Sequence, residues 1–438
     1  RMSEVIFEDS FYQFSDVQSY KNYIERLKFI PSVCKNMILN MKKGIHKKMT
    51  YPKRIILQLI LQLKECIEKN TLQNNFNHSR KIPSSIKHKF LHSVQKYLVQ
   101  QIQGFIIFLV EIYLPNARNT MGLSYLTKGK DLYKEIVKSY TFDSYTPEKV
   151  HKIGIHETSK ILKQLQKLQN KYKQNITYLE FCSQMKDHPS SKFKSKKELF
   201  SYLENLKKRI YHESFLPFFN DTLSDDDMYE IECVPTMNKS MSAYYQLPDF
   251  QNKTKGTFFV NALDLSKMNK DEMLVLSVHE GIPGHHYEFL YHNRTQKSLY
   301  MRSTSYTTYS EGWALYCESL SQSKNIREEF WKLIYALHRA MRLTIDTGIH
   351  WYGWSYEKCF LEMKKYLPFS DEMIRDEIYR YSDDPGQALC YTIGAITFFD
   401  LRKKYLKKHK HIQDFHKLVL DIGPCHLDML IDEFNKHL

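Results

Sequence analysis

Three histidines and a glutamate fall within eight residues of one another in the segment Val278-His279-Glu280-Gly281-Ile282-Pro283-Gly284-His285-His286-Tyr287-Glu288. The segment begins as the H-E-x-x-H pattern does, in which two histidines four residues apart on one helix face hold zinc and the glutamate serves as base. Here the fourth position after His279 is Pro283, which has no ligand atom, and the next histidines stand six and seven residues on. On an unbroken helix a residue seven positions on lies about 10.5 Å further along the axis, too far for a shared ion. Proline removes a helical hydrogen bond and Gly284 permits backbone angles closed to other residues, so a bulge at Pro283-Gly284 can return one of the pair to His279. A zinc site also needs a third protein ligand and an open position. Ser310-Glu311-Gly312-Trp313-Ala314-Leu315-Tyr316-Cys317-Glu318 offers one: Ser310 as N-cap places Glu311 in a first helical turn, and Glu318, seven residues on, shares its face. Glu311 is then a ligand, and Glu318 a carboxylate that orients a ligand histidine. The histidine segment alone already reads more readily as a metal site than as a capped helix end with surface histidines; the glutamate segment alone reads more readily as a solvated helix face, and together they favour a metal centre.

Those side chains need rigid elements to hold them, and helical periodicity runs through most of the chain. Apolar residues at three- and four-residue spacing predict helices over 16–41, 51–69 and 84–113. Thr146-Pro147-Glu148 opens another with a Thr cap and proline in its first turn, and 192–214 is a further lysine-rich candidate. From Asp271 onward the pattern predicts helices over 271–280, 285–293, 310–322, 326–348, 355–366, 371–380, 386–408 and 427–437. Two short aromatic-rich segments, Ala243–Leu247 and Gly256–Asn261, predict a small hairpin. Its Phe258-Phe259-Val260-Asn261 edge can take up an extended peptide by strand addition, with Asn261 positioning the backbone; an ordinary packed strand is the equal alternative. The polar stretch 70–85 is the main seam.

Beyond these two segments the chain resembles the "domain of unknown function 885" family, regarded as zincin-like metallopeptidases. His-Glu-Gly-Ile-Pro-Gly-His-His followed by Glu-Gly-Trp-Ala-Leu-Tyr carries the resemblance first. Thr146-Pro147-Glu148 with Val150-His151-Lys152-Ile153-Gly154 is similar to another family block, as are Arg339-Ala340-Met341-Arg342-Leu343 with Asp346-Thr347-Gly348-Ile349-His350 and Gly353-Trp354, and Pro385-Gly386-Gln387-Ala388-Leu389 with Tyr391 and Ile393-Gly394. The resemblance covers about residues 115–408. It implies a mainly α, zincin-like fold with a small sheet beside the metal helix, a divergent N-terminal helical region over 1–115 and a catalytic region over 116–438, the two making one compact unit. It also implies a zinc-dependent hydrolase of peptide bonds, with one zinc ion per chain. Zincin relatives with one extra motif residue keep a glycine directly before the second ligand, and Gly284-His285 reproduces that pair. His279, His285 and Glu311 are therefore the expected ligands, with His286 beside them or on substrate. Glu280, next to a ligand, is the expected base for the water that zinc acidifies towards a pKa of about 7. Tyr391, His350 and Arg342, polar residues in family-like blocks, are the candidates for stabilising an oxyanion; Arg342 or Arg339 can instead grip a substrate carboxylate.

Composition bounds the alternatives. The chain has 438 residues, 42% of them hydrophobic, with 26 Phe, 31 Tyr and only 14 Gly, which excludes a disordered or collagen-like protein. Eight cysteines never form a C-x-x-C pair, which disfavours a zinc ribbon and suits reduced thiols. The start lacks a basic-then-apolar leader, and the most apolar run, Gly104–Leu114, is shorter than the roughly 20 residues that cross a bilayer. The expectation is a cytoplasmic protein with no transmembrane segment. The net charge of +15 and the lysine runs at 192–197 and 403–408 come without a nucleic-acid-binding signature, so no specific nucleic-acid partner is expected and a peptide or amide substrate is. A catalytically inactive binding protein on the same fold is the main competitor, and retention of Glu280 beside His279 argues against it.

Overall fold

A computed structural model describes residues 14, 16–68, 82–234, 243–248, 255–295 and 305–438. The chain divides into two compact units, the first ending at Thr127 and the second running from Lys128, so the break falls later than residue 115. Among the described residues, four helices build the first unit: α1 (Val17–Leu27), α2 (Ile30–His46), α3 (Lys53–Glu68) and α4 (Ser84–Asn116). The single helix expected over 16–41 is two, because Pro31 sits in the first turn of α2, where its missing N–H costs nothing but a preceding turn could not continue through it. Asp16 caps α1 through the Ser19 amide at 2.7 Å. Most of the predicted 70–85 seam lies outside the described residues.

The α4 helix is the core of that unit. Phe90, Val94, Leu98, Ile102, Phe105, Leu109 and Tyr113 form one buried stripe at three- and four-residue spacing, covered by α1, α2 and α3. The apolar run expected to be too short for a bilayer is part of this longer helix, because the pattern from Ser84 onward joins it without a break. By length and composition alone, α4 is long and apolar enough to cross a membrane.

The second unit is built from α5 (Gly129–Tyr140), α6 (Pro147–Tyr172), α7 (Tyr178–Lys186), α8 (Lys196–Ile210), β1 (Glu230–Cys233), β2 (Ala243–Gln246), β3 (Thr257–Val260), α9 (Met273–Glu280), α10 (His285–Thr295), α11 (Thr307–Glu318), α12 (Ile326–His350), α13 (Tyr356–Lys364), α14 (Asp371–Asp383), α15 (Cys390–Tyr405), α16 (Ile412–Ile422) and α17 (Leu427–Asn435). The fold is mainly helical with one small sheet. Two extended pairings organise it. The α6 helix lies along α12, and α11 along α15. The second pair meets backbone to backbone: a Cβ on Gly312 would stand 2.5 Å from Gly394 Cα, so neither position admits a side chain without parting the helices. Helices α5, α7 and α16 were not expected, although Thr177 and Glu180 form a capping box at the start of α7.

The expected hairpin pairs as β2 against β3, with Tyr244 opposite Phe259, but a third strand joins it. Strand β1 runs parallel to β3, in the order β1-β3-β2. Strand β3 is therefore central, with Phe258 and Val260 fully buried, and its backbone groups are taken on both sides. That corrects the expectation of a free Phe258–Asn261 edge for strand addition. Asn261 follows β3 and accepts a hydrogen bond from the Leu263 amide at 3.3 Å. Helix α9 packs on β2 and α8 on β1.

His416 of α16 ties several of these parts together. It faces the Phe218 carbonyl through Nδ1 and the Tyr316 hydroxyl through Nε2, both at 2.7 Å, under a stacked Phe219 ring. A neutral imidazole fits this pattern, donating from Nδ1 and accepting at Nε2, and burial lowers its pKa from 6.5 to about 4. A histidine depressed in this way contributes fully above the unfolded value and loses its contribution as pH falls through the folded one. Relative to a His416→Gln variant, the wild type should lose about 1.4 kcal/mol of stability per pH unit between 6.5 and about 4. Parallel urea-unfolding curves at both ends of that window check it; a constant difference refutes it.

Candidate metal centre

Helix α9 ends at Glu280, and the Gly281 amide closes its last turn on the Ser277 carbonyl at 3.1 Å. The chain then turns through a cis Ile282–Pro283 bond, and the Gly284 amide reaches back to the Val278 carbonyl at 3.1 Å before α10 begins at His285. A Cβ on Gly284 would lie 2.0 Å from the His279 oxygen and 2.4 Å from that of Val278, so only glycine fits this return. The Trp313 indole donates to the Pro283 carbonyl at 2.9 Å, which pins the turn to α11. The bulge expected at Pro283-Gly284 is a full break between the two helices expected over 271–280 and 285–293. Its result is the one the spacing required: the His279 and His285 rings stand 4.8 Å apart and nearly perpendicular.

Glu311 completes the cluster. Its Oε2 lies 3.4 Å from His279 Nε2 and 3.5 Å from His285 Nε2. That oxygen is buried and has no hydrogen-bond partner, and one ligand atom from each of the three residues lies within 4.8 Å of the others. Donors bound tetrahedrally at about 2.0–2.2 Å stand roughly 3.4 Å apart, so the residues present fit a zinc ion. Electrostatics agree. Burial alone would raise the Glu311 carboxyl, but the two imidazoles outweigh it and hold it well below its ordinary range. Burial would lower His285, yet Glu288 and Glu311 raise it well above its ordinary value. Without a metal the carboxylates keep protons on these rings; a divalent cation competes for the same charge.

Ser310 is not the N-cap of α11, which starts at Thr307; its hydroxyl donates instead to Glu288 Oε1 at 2.7 Å. Glu311 and Glu318 do share a face, and Glu318 Oε1 accepts from His279 Nδ1 at 2.8 Å, which leaves Nε2 directed at Glu311. Arg339 stands 3.6 Å from the same Glu318 oxygen. His286 faces the other way: Nδ1 meets the Tyr245 hydroxyl on β2 and Nε2 the Asp227 carbonyl, each at 2.7 Å, and burial lowers its pKa to about 4. It fastens α10 to the sheet, correcting its expected place beside the metal or on substrate.

Glu280 is half-exposed and, among the described residues, makes no hydrogen bond or ion pair, although its charge acts on His285. The Tyr391 ring lies nearly parallel to that of His279 at 6.5 Å, and Arg342 stacks on it with Cζ 4.2 Å from its centre. Tyr391 therefore belongs to the site. Arg342 reaches it only through this stacking, being bound to Glu377 and the Tyr381 hydroxyl at 3.2 Å each. His350, fully buried, meets the Tyr381 carbonyl at 2.8 Å and packs on Tyr133, a structural role at the end of α12. Sequence reading missed Glu288, whose spacing of three from His285 places both on one face of α10. It also missed Glu377, which gathers Arg342 and His338 from α12 beside Arg380 of its own helix. A second grouping among the described residues, Asp143, His426 and Asp428, is committed elsewhere: His426 Nδ1 accepts from the Asp428 amide and Nε2 meets the Lys138 carbonyl.

The two adjacent histidines should separate cleanly. His285→Ala is expected to abolish zinc uptake while leaving a folded chain, and His286→Ala to keep zinc but lower the melting temperature through loss of two buried hydrogen bonds, about 1–3 kcal/mol. Metal analysis with thermal melts decides this, and zinc lost only from His286→Ala would reverse the assignment.

No curated protein matches this chain. Among solved structures, a candidate lipoprotein from Colwellia psychrerythraea aligns with a TM-score of 0.89 at 22% identity, over 97% of this chain and 77% of its own. A candidate lipoprotein of unknown function from Shewanella oneidensis aligns with a TM-score of 0.72 at 16% identity, over 98% and 80% respectively. At such identities the likeness is one of fold. The family model described as "Bacterial protein of unknown function (DUF885)" matches residues 7–433, and the chain belongs to that family.

Proposed function

We propose that this protein is a zinc-dependent hydrolase of peptide or amide bonds. The observation that supports this most is the buried Glu311 Oε2, without a hydrogen-bond partner and facing two imidazole nitrogens at 3.4 and 3.5 Å. His279 Nε2, His285 Nε2 and Glu311 would hold the ion. When bound, zinc supplies a Lewis acid that polarises an amide carbonyl and makes water acidic enough to lose a proton near neutral pH.

The chain's own groups do the rest. Glu280 accepts the proton from water and passes it to the leaving amine, a task that suits a carboxylate with no other partner in the field of His285. Glu318 holds the proton on His279 Nδ1 and so keeps Nε2 available. The Tyr391 hydroxyl is met weakly by the Gln387 side-chain amide at 3.5 Å, which leaves its own proton free to meet the charge developing on the carbonyl oxygen. Burial, then Glu311, raises the Tyr391 pKa against the pull of Arg342 and Arg380, so this donor stays protonated. The competing reading, an inactive binding protein, gives no role to an unpaired Glu280. For location, the lipoprotein designation of the two structural relatives favours an envelope over the cytoplasm, and cell fractionation decides between them.

Purified protein should contain one chelator-removable zinc per chain and cleave a peptide mixture read by mass spectrometry. Glu280→Gln should keep the zinc and the fold while kcat/KM falls by about 10²- to 10⁴-fold on the fastest peptide found. Turnover near wild type would remove Glu280 as base; a chain that takes up no zinc would end the whole reading.

Tyr391→Phe should lower kcat by about a hundredfold with KM little changed, since its hydrogen bond forms mainly as charge develops. A change confined to KM would make Tyr391 a substrate-binding residue instead.

A further inference from the structure

The geometry points to Glu288, anchored by Ser310, as the positioning residue of His285: it holds that ring in the orientation and tautomer that presents Nε2 to the metal. This rests on the zinc reading above and adds a residue that neither the H-E motif nor the E-G-W motif assigns.

Glu288 is fully buried on α10, a place a carboxylate occupies only with a partner for its charge. One oxygen, Oε1, accepts from the Ser310 hydroxyl at 2.7 Å. The other, Oε2, is buried and without a hydrogen-bond partner, 3.8 Å from His285 Nδ1, which is equally buried and without one. Two orphaned groups of opposite polarity thus face each other across a gap slightly wider than a hydrogen bond. A small side-chain rotation closes it, and the geometry offers no other acceptor for the Nδ1 proton. With that proton placed on Nδ1, the free lone pair of His285 lies on Nε2, the atom 3.5 Å from Glu311. His279 and Glu318 show the same arrangement already closed, at 2.8 Å. Each ligand ring is then backed by its own buried carboxylate, supplied from α10 for one and from α11 for the other. Ser310, also on α11, fixes the Glu288 carboxylate from behind, so α11 controls both rings and provides the third ligand.

The test is zinc affinity, measured by competition with a chromophoric chelator on wild type, Glu288→Ala, Glu288→Gln, Ser310→Ala and Glu280→Gln, with circular dichroism confirming the fold of each zinc-free variant. Glu288→Ala should weaken binding by about 10- to 100-fold, Glu288→Gln, which keeps an acceptor but not the charge, by less, and Glu280→Gln, which removes a charge acting on His285 but no contact to it, by less than Glu288→Ala. Ser310→Ala should weaken it severalfold, and it keeps the proposal open to refutation should Glu288→Ala fail to fold. Cobalt-substituted Glu288→Ala should show a shifted visible spectrum, which a purely structural carboxylate would not produce. Wild-type zinc affinity in both Glu288→Ala and Ser310→Ala would overturn this inference and leave the zinc reading intact. Absence of zinc binding by wild type would instead defeat the reading on which it rests.

Discussion

A carboxylate with one oxygen buried and unbonded is tolerable only where positive charge stands close to it, and Glu311 imposes that condition on the second unit. Burying an ionised carboxylate costs several kcal/mol unless positive charge meets it. The structure meets it with two imidazoles that come from different helices, and the chain must therefore hold α9, α10 and α11 at distances fixed to fractions of an ångström. Much of the surrounding sequence follows from this. Gly284 returns the backbone so closely to α9 that no side chain fits there. Trp313 and Cys317 both aim at the Pro283 carbonyl, so the turn between the histidines is held by the helix that carries the glutamate. Gly312, next to Glu311, lets α15 approach backbone to backbone and brings Tyr391 to the His279 ring.

Charge around the cluster is layered in the same way. Glu318 and Glu288 lie behind the imidazoles, and Arg339 stands behind Glu318 at 3.6 Å. Further out, Glu377 is held well below its ordinary range because Arg380, Arg342 and His338 outweigh the effect of burial. Arg342 then lies between that carboxylate and the face of Tyr391. Alternating signs at successive distances let many ionisable groups be buried together, since each pays part of its neighbour's desolvation. Removing one member leaves the next uncompensated, so substitutions in these layers should not add.

The grouping of His279, His285 and Glu311 was legible from sequence because it is local in type and spacing: a histidine pair interrupted by proline and glycine, and two glutamates seven apart on one helix. Helix periodicity also located most elements from Asp271 onward. What escaped depends on contacts between segments far apart in the chain. Strand β1 is four residues, Glu230-Ile231-Glu232-Cys233, whose alternation is too short to register, and it becomes a strand by pairing with β3. That pairing turned the supposed free edge into the centre of a sheet. The roles of His286 and His350 were misjudged for a related reason: a histidine beside a motif reads as chemistry until the carbonyls that occupy its nitrogens, Asp227 and Tyr381, come into view. Ser310 looked like a cap because its type favours helix starts, but α11 begins a turn earlier, where no side-chain cap is present.

The proline-glycine interruption has a further electrostatic consequence. In an unbroken H-E-x-x-H helix both imidazoles project from the same rod and the second lies a turn nearer its C-terminus, where the helix dipole favours a cation. Here His285 is the first residue of a new helix, and the amide dipoles of that first turn set a positive potential beside its ring. An ion at that position meets an unfavourable field unless negative charge lies within the same turn. Glu288 is the acidic residue of the first turn of α10, and it is fully buried beneath His285. The break that brings the second histidine into reach thus creates a need for a carboxylate three residues later, and the chain meets that need on the same helix face.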